Sequence, residues 1–108
     1  MDIRQYDIVL VNLDPTKGSE INKTRPCLVI SPNEMNKYLR TVIIAPMTTS
    51  DKLYPTHIAI IHNKKKGAAA LDQIRTIDKS RIIKSLGRIS KDEIDKCKAV
   101  IMETFVDY

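Results

Sequence analysis

A chain of 108 residues, 43% hydrophobic and 29% charged, has enough apolar content to build one core and no proline- or glycine-rich linker to divide it, which argues against a disordered chain and for one domain over 1–108. A formal net charge of +5 suits an anionic partner such as nucleic acid without requiring one. No apolar run approaches membrane-spanning length, and the charged start "MDIRQYD" does not resemble a secretory signal, so a cytoplasmic protein with no membrane partner is expected.

Taken in chain order, the apolar segments are short, β-branched and bounded by turn residues, which is the pattern of strands. Strands are predicted near Tyr6 to Leu13, Pro26 to Ser31, Thr41 to Met47, Thr56 to His62, Ala69 to Ile77 and Ile82 to Ile89, with a short helix or turn over "PNEMNKY". The lysine run Lys64-Lys65-Lys66 in "HNKKKG" reads as a solvated turn between strands. At the end of the chain the pattern changes. Ser90 and Glu93 in "SKDE" have the spacing of a capping box, and Ile94, Cys97, Ile101 and Phe105 recur at helical intervals, so a terminal amphipathic helix is expected. Several short strands and one helix suggest a small, strongly bent antiparallel sheet or barrel packed on that helix. Cys27 and Cys97 lie in apolar segments without CxxC or Cys/His spacing and read as reduced core thiols rather than metal ligands.

From Asp14 to Lys23 the chain is polar for about ten residues between two predicted strands, longer than a hairpin turn of two to five residues requires. Such a segment is either a hairpin tip or a functional loop. Arg25 follows it at the strand entrance, where Pro26 favours an extended conformation and removes the next backbone donor. A guanidinium there can present its fork to a phosphate or form a structural ion pair. His57 and His62 have side chains suited to proton transfer, but a separation of five along a strand puts them on opposite faces, and each is read as structural or exposed.

The stretch "DIVLVNLDPTKGSEINKTRPCLVISP", followed in order by "IIAPMTTS", "YPTHIAI" and "LDQIRTIDKSRI", resembles the MazF/PemK (Kid-like) toxins of bacterial toxin-antitoxin systems. The agreement of separated motifs from Asp7 to about Ile89 makes the resemblance specific. It implies a homodimeric SH3-like barrel of the MazF/CcdB-like class, mainly β with a C-terminal helix. It also implies cleavage of single-stranded RNA at short sequence motifs without a metal or other cofactor, and a cognate antitoxin that blocks the activity. The family's arginine of "TRP" and first threonine of "PMTT" match Arg25 and Thr48, and the acid of "GSE" matches Glu20. Some relatives carry histidine where this chain has Ser19 and arginine where it has Ala70, so mechanisms that use those side chains do not transfer.

Metal-free RNA cleavage lets the 2′-hydroxyl attack the adjacent phosphorus. It needs a proton acceptor, a stabiliser for the phosphorane and a proton for the departing 5′-oxygen. Glu20 is the candidate acceptor, Arg25 the electrostatic stabiliser and Thr48 the hydroxyl that holds a nonbridging oxygen. The acid is not assigned, because arginine, with a pKa above about 12, is a poor proton donor. The expected RNA groove lies in the loops that flank these residues, with Lys17, Ser19, Asn22, Lys23, Ser50 and Lys52 meeting bases or phosphates. Asp72 is placed as an RNA-steering or dimer-interface residue or as a strand-end acceptor, and Arg75 as phosphate-positioning or structural. With one Phe, four Tyr and no Trp, no multi-base stacking platform is apparent. The alternatives are a noncatalytic CcdB-like poison of DNA gyrase and an RNA-binding module without cleavage.

Overall fold

The computed structural model describes residues 2–13, 23–50 and 54–106. Among the described residues there are seven strands: β1 (Asp7–Asn12), β2 (Thr24–Val29), β3 (Thr41–Thr48), β4 (His57–His62), β5 (Lys65–Ala70), β6 (Arg75–Asp78) and β7 (Ile82–Arg88). Helix α1 (Asn33–Tyr38) joins β2 to β3, and α2 (Lys91–Ile101) closes the fold. All pairings are antiparallel, in the order β4-β5-β3-β2-β1-β7, with β6 also on β3.

β3 organises the sheet. Its first half pairs with β6 through Thr41 to Ile44, its middle with β2 through Ile44 to Pro46, and its end with β5 through Met47 and Thr48. One strand serving three partners has to bend, and the sheet curls into a half-barrel. Register shifts at Ile8/Val9 and Leu10/Val11 add curvature between β1 and β7. The two sheet ends meet where the His62 Nε2–H of β4 donates to the Leu86 carbonyl of β7 at 2.7 Å. The ring lies so close to Gly87 that a Cβ there would stand 2.6 Å from His62 Cε1, and Gly87 has a φ of +132°. Both facts call for glycine.

The curl gives the sheet two buried faces. Ile8, Leu28, Ala45, Ile58, Ile60 and Leu71 form one core, which Cys97 and the partly buried Ile94 and Ile101 of the helical segment cover. Val9, Val11, Cys27, Val29, Val42 and Ile44 form the other. Apolar side chains therefore run continuously along β1 instead of alternating with polar ones. At α2 the capping box is complete: Ser90 Oγ accepts from the Glu93 N–H, and Glu93 Oε1 accepts from the Ser90 N–H.

Three expectations need correction. The predicted strand from Ala69 to Ile77 is two strands with a 3-10 turn at Leu71–Gln73 between them, because β5 pairs with the end of β3 and β6 with its beginning. Across that bend a single straight strand cannot reach both halves. Lys65 and Lys66 belong to β5, and the turn is made by Asn63 and Lys64, with φ of 50° and 64°, as a tight hairpin turn requires. Phe105 lies in a π-helical turn, Met102–Val106, and is 51% exposed, so the buried stripe of the helix ends before it.

Candidate functional site: a polar recess at the bend of β3

Strand parity assembles the site. Arg25 stands two residues before Cys27, Cys27 faces Pro46 across the β2–β3 ladder, and Thr48 lies two residues beyond Pro46. Arg25 and Thr48 therefore share a face. Thr48 pairs with Ala68, and Ala70, two residues further along β5, pairs with His57 of β4. The same face thus continues from Thr48 to His57. These residues enclose a recess of about 180 Å³, lined by Arg25, Thr48, Ser50, Tyr54, His57 and Gln73 among others.

Within it, Thr48 Oγ1 accepts from the Ser50 N–H at 3.1 Å, which leaves the threonine O–H able to donate elsewhere. His57 Nε2 lies 3.0 Å from Asp72 Oδ1 on the 3-10 turn, and its ring packs edge-on against Tyr54 with centroids 5.0 Å apart. The His57 side chain is only 8% exposed. Its Nδ1 is buried and has no hydrogen-bond partner among the described residues.

Beneath the site, burial pushes the Cys27 thiol up to about 12, and the charges of Arg25 and Arg75 act in the opposite direction. The positive field of both arginines is therefore felt at one point under the recess. Burial likewise raises Cys97, to about 11. Both cysteines are free and buried, as their apolar sequence context suggested.

Of the residues singled out from sequence, Arg25, Thr48 and Ser50 converge on the recess, and Asp72 reaches it through His57. Arg75 is exposed at the start of β6, opposite Ile44, and Lys23 is exposed at the foot of β2. Glu20, Lys17, Ser19, Asn22 and Lys52 lie outside the described residues. Asp72 lies in the 3-10 turn beyond the end of β5, where it contacts His57. His62 is structural, as read, and His57 does lie on the opposite face of β4. Sequence reasoning missed the pairing of His57 with Asp72, which are 15 residues apart and meet only through the β4–β5 register. A second recess, about 290 Å³, lies alongside, with an apolar floor that includes Ile8, Met47, Ile60 and Leu86 and with Lys65 and Lys66 at its border.

A curled seven-stranded sheet with a C-terminal helix, and a polar recess where the sheet bends, define a small, mainly β half-barrel. The chain belongs to the PemK-like, MazF-like toxins of type II toxin-antitoxin systems, whose family model matches residues 4–105. Among solved structures, it is similar to MazF in a MazE-MazF crystal structure from Deinococcus radiodurans, with 24% identity, 95% of each chain covered and a TM-score of 0.81. It is also similar to an endoribonuclease from a mycobacterial species, with 19% identity, 95% of this chain and 90% of that one covered, and a TM-score of 0.79. A mycobacterial endoribonuclease in complex with its cognate antitoxin matches at 20% identity over 94% of this chain and 91% of that one, with a TM-score of 0.76. At these identities the structural likenesses establish the expected fold. No helix among the described residues is long and apolar enough to cross a membrane.

Proposed function

We propose that this toxin is a sequence-selective endoribonuclease that cleaves single-stranded RNA in the cytoplasm by 2′-hydroxyl attack, needs no metal, and is neutralised by a cognate antitoxin. The observation that carries this reading is the convergence of Arg25 and Thr48, from different strands, on one polar recess. Two of the solved relatives are endoribonucleases, one of them held by its antitoxin, which supports the same reading. Arg25 stabilises the charge that develops on the phosphorane, and the Thr48 hydroxyl donates to a nonbridging oxygen. Glu20, from the segment before β2, accepts the 2′-proton. Ser50 and Lys23, with Lys17, Ser19, Asn22, Lys52 and Arg75, hold the flanking nucleotides, whose phosphates suit a chain of net charge +5.

Mapping the products of a defined RNA in the presence of a chelator tests the proposal. Cleavage at a recurring short motif, leaving 2′,3′-cyclic phosphate and 5′-hydroxyl ends, is the expected result. Intact RNA together with inhibited DNA gyrase would select a noncatalytic poison instead, and tight RNA binding without cleavage a binding module.

A further inference from the structure

The reaction needs a proton for the departing 5′-oxygen, and neither Arg25 nor Thr48 is suited to supply it. We propose that His57 is this general acid and that Asp72 is its positioning residue. The inference rests on the nuclease reading above and assigns the one function which that reading leaves unfilled.

The geometry supports it at three points. Asp72 Oδ1 lies 3.0 Å from Nε2, so that nitrogen donates to the carboxylate and the ring is held in one orientation. Nδ1 is left buried with no partner among the described residues, which costs stability and marks a hydrogen bond still to be made. The imidazole shares the recess with Arg25 and Thr48. The charged or titratable groups facing it are Asp72 from the 3-10 turn, Tyr54 from the segment before β4, and Arg25 from β2; on β5 its partner is Ala70. His57 itself lines the recess, beside Tyr54, which is 53% exposed. As the O2′–P bond forms, the 2′-proton passes to Glu20. The electron pair of the P–O5′ bond goes to the 5′-oxygen, which takes the Nδ1 proton, and solvent then restores both side chains.

Single-turnover cleavage at saturating enzyme, followed from pH 5 to 9, reads this directly. In the wild type the rate falls as pH rises through the titration of the acid. His57→Gln keeps an amide that can face Asp72 but has no proton to give, so its rate at neutral pH should drop by about a hundredfold or more and that falling limb should vanish. RNA affinity should stay within a fewfold. Asp72→Ala removes the acceptor that orients the ring, so its rate should fall about tenfold or more while RNA affinity is kept. An RNA with sulfur in place of the scissile 5′-oxygen has a leaving group that needs no acid; it should restore His57→Gln to near wild-type turnover and leave Arg25→Ala slow. A folded His57→Gln protein that keeps the falling limb and wild-type rate overturns the assignment. If that variant fails to fold, an Asp72→Ala protein with wild-type rate, or with a defect that the sulfur substrate does not restore, overturns it. A wild-type protein that cleaves no RNA would remove the nuclease reading, and this inference with it.

Discussion

Arg25 is exposed at the foot of β2, and its face of the strand leads through Cys27 into the core. On the proposed function, a guanidinium so placed stabilises charge that develops only in the transition state. Arg25→Ala should therefore slow single-turnover cleavage at least about a hundredfold while melting temperature and RNA affinity change little. Arg25→Lys keeps the charge without the planar fork, and a large residual defect would show that geometry counts as well as sign. A folded Arg25→Ala protein with ordinary turnover would refute the assignment. The thiols below give a second test. Cys27 and Cys97 hold their protons up to about 12 and about 11 in the fold, whereas exposed thiols in the unfolded chain titrate near about 8.5. The folded state thus binds more protons in that interval. The stability they contribute is whole below about pH 8.5 and is lost as pH rises towards 11 and 12. Thermal melts between pH 8 and 11 should show the decline, and neither thiol should react with iodoacetamide until the protein unfolds. At this scale the sequence disclosed Arg25 and Thr48 through motif resemblance, because both belong to short contiguous signatures. It did not disclose the His57–Asp72 contact, because parity along one strand says nothing about what a turn after the next strand presents.

Among the elements, one carboxylate of α2 serves both the helix cap and the sheet. Glu93 Oε1 completes the capping box while Oε2 accepts from the Ile61 N–H of β4 at 2.8 Å. Ser90→Ala removes one partner of the cap and should cost about 1 kcal/mol. Glu93→Ala keeps the backbone N–H that Ser90 Oγ accepts but removes the other half of the cap and the tie to β4 together, and urea unfolding should show a larger loss than Ser90→Ala. Equal losses would mean that the contact with β4 contributes nothing. Gly87→Ala combines a φ of +132° with a clash on the His62 ring and should destabilise by about 1–3 kcal/mol, measured in the same way. The existence and order of most elements could be read from sequence because strand-length apolar runs and a capping box are local signals. The break at Leu71–Gln73 could not. Leu71 is fully buried, so the apolar pattern runs on without interruption while the backbone turns from one half of β3 to the other.

For the whole molecule, a single recess is short beside an RNA chain, and the family resemblance points to a groove that crosses a two-fold axis. A homodimer is therefore expected by sedimentation at micromolar concentration, and a monomer there would count against it. RNA affinity should fall steeply as salt rises, since phosphate contacts release counterions. An antitoxin segment, acidic and disordered until bound, should compete with RNA; unchanged RNA binding at saturating antitoxin would rule out that model.

The pairing of β1 with β7 joins the first of the described strands to the last. β2, which carries Arg25, is anchored on β1, so the strand bearing the arginine has a complete support only after residues 82–88 have been made and docked. A chain still being synthesised has its chemical groups in order along the backbone but not yet in space. Contacts so distant in sequence also form slowly. The support of the arginine strand is therefore completed late in folding. On refolding from denaturant, cleavage should return with the slowest structural phase and not before it. Recovery of activity ahead of β1–β7 pairing, followed by hydrogen exchange, would show that the arginine needs no such support.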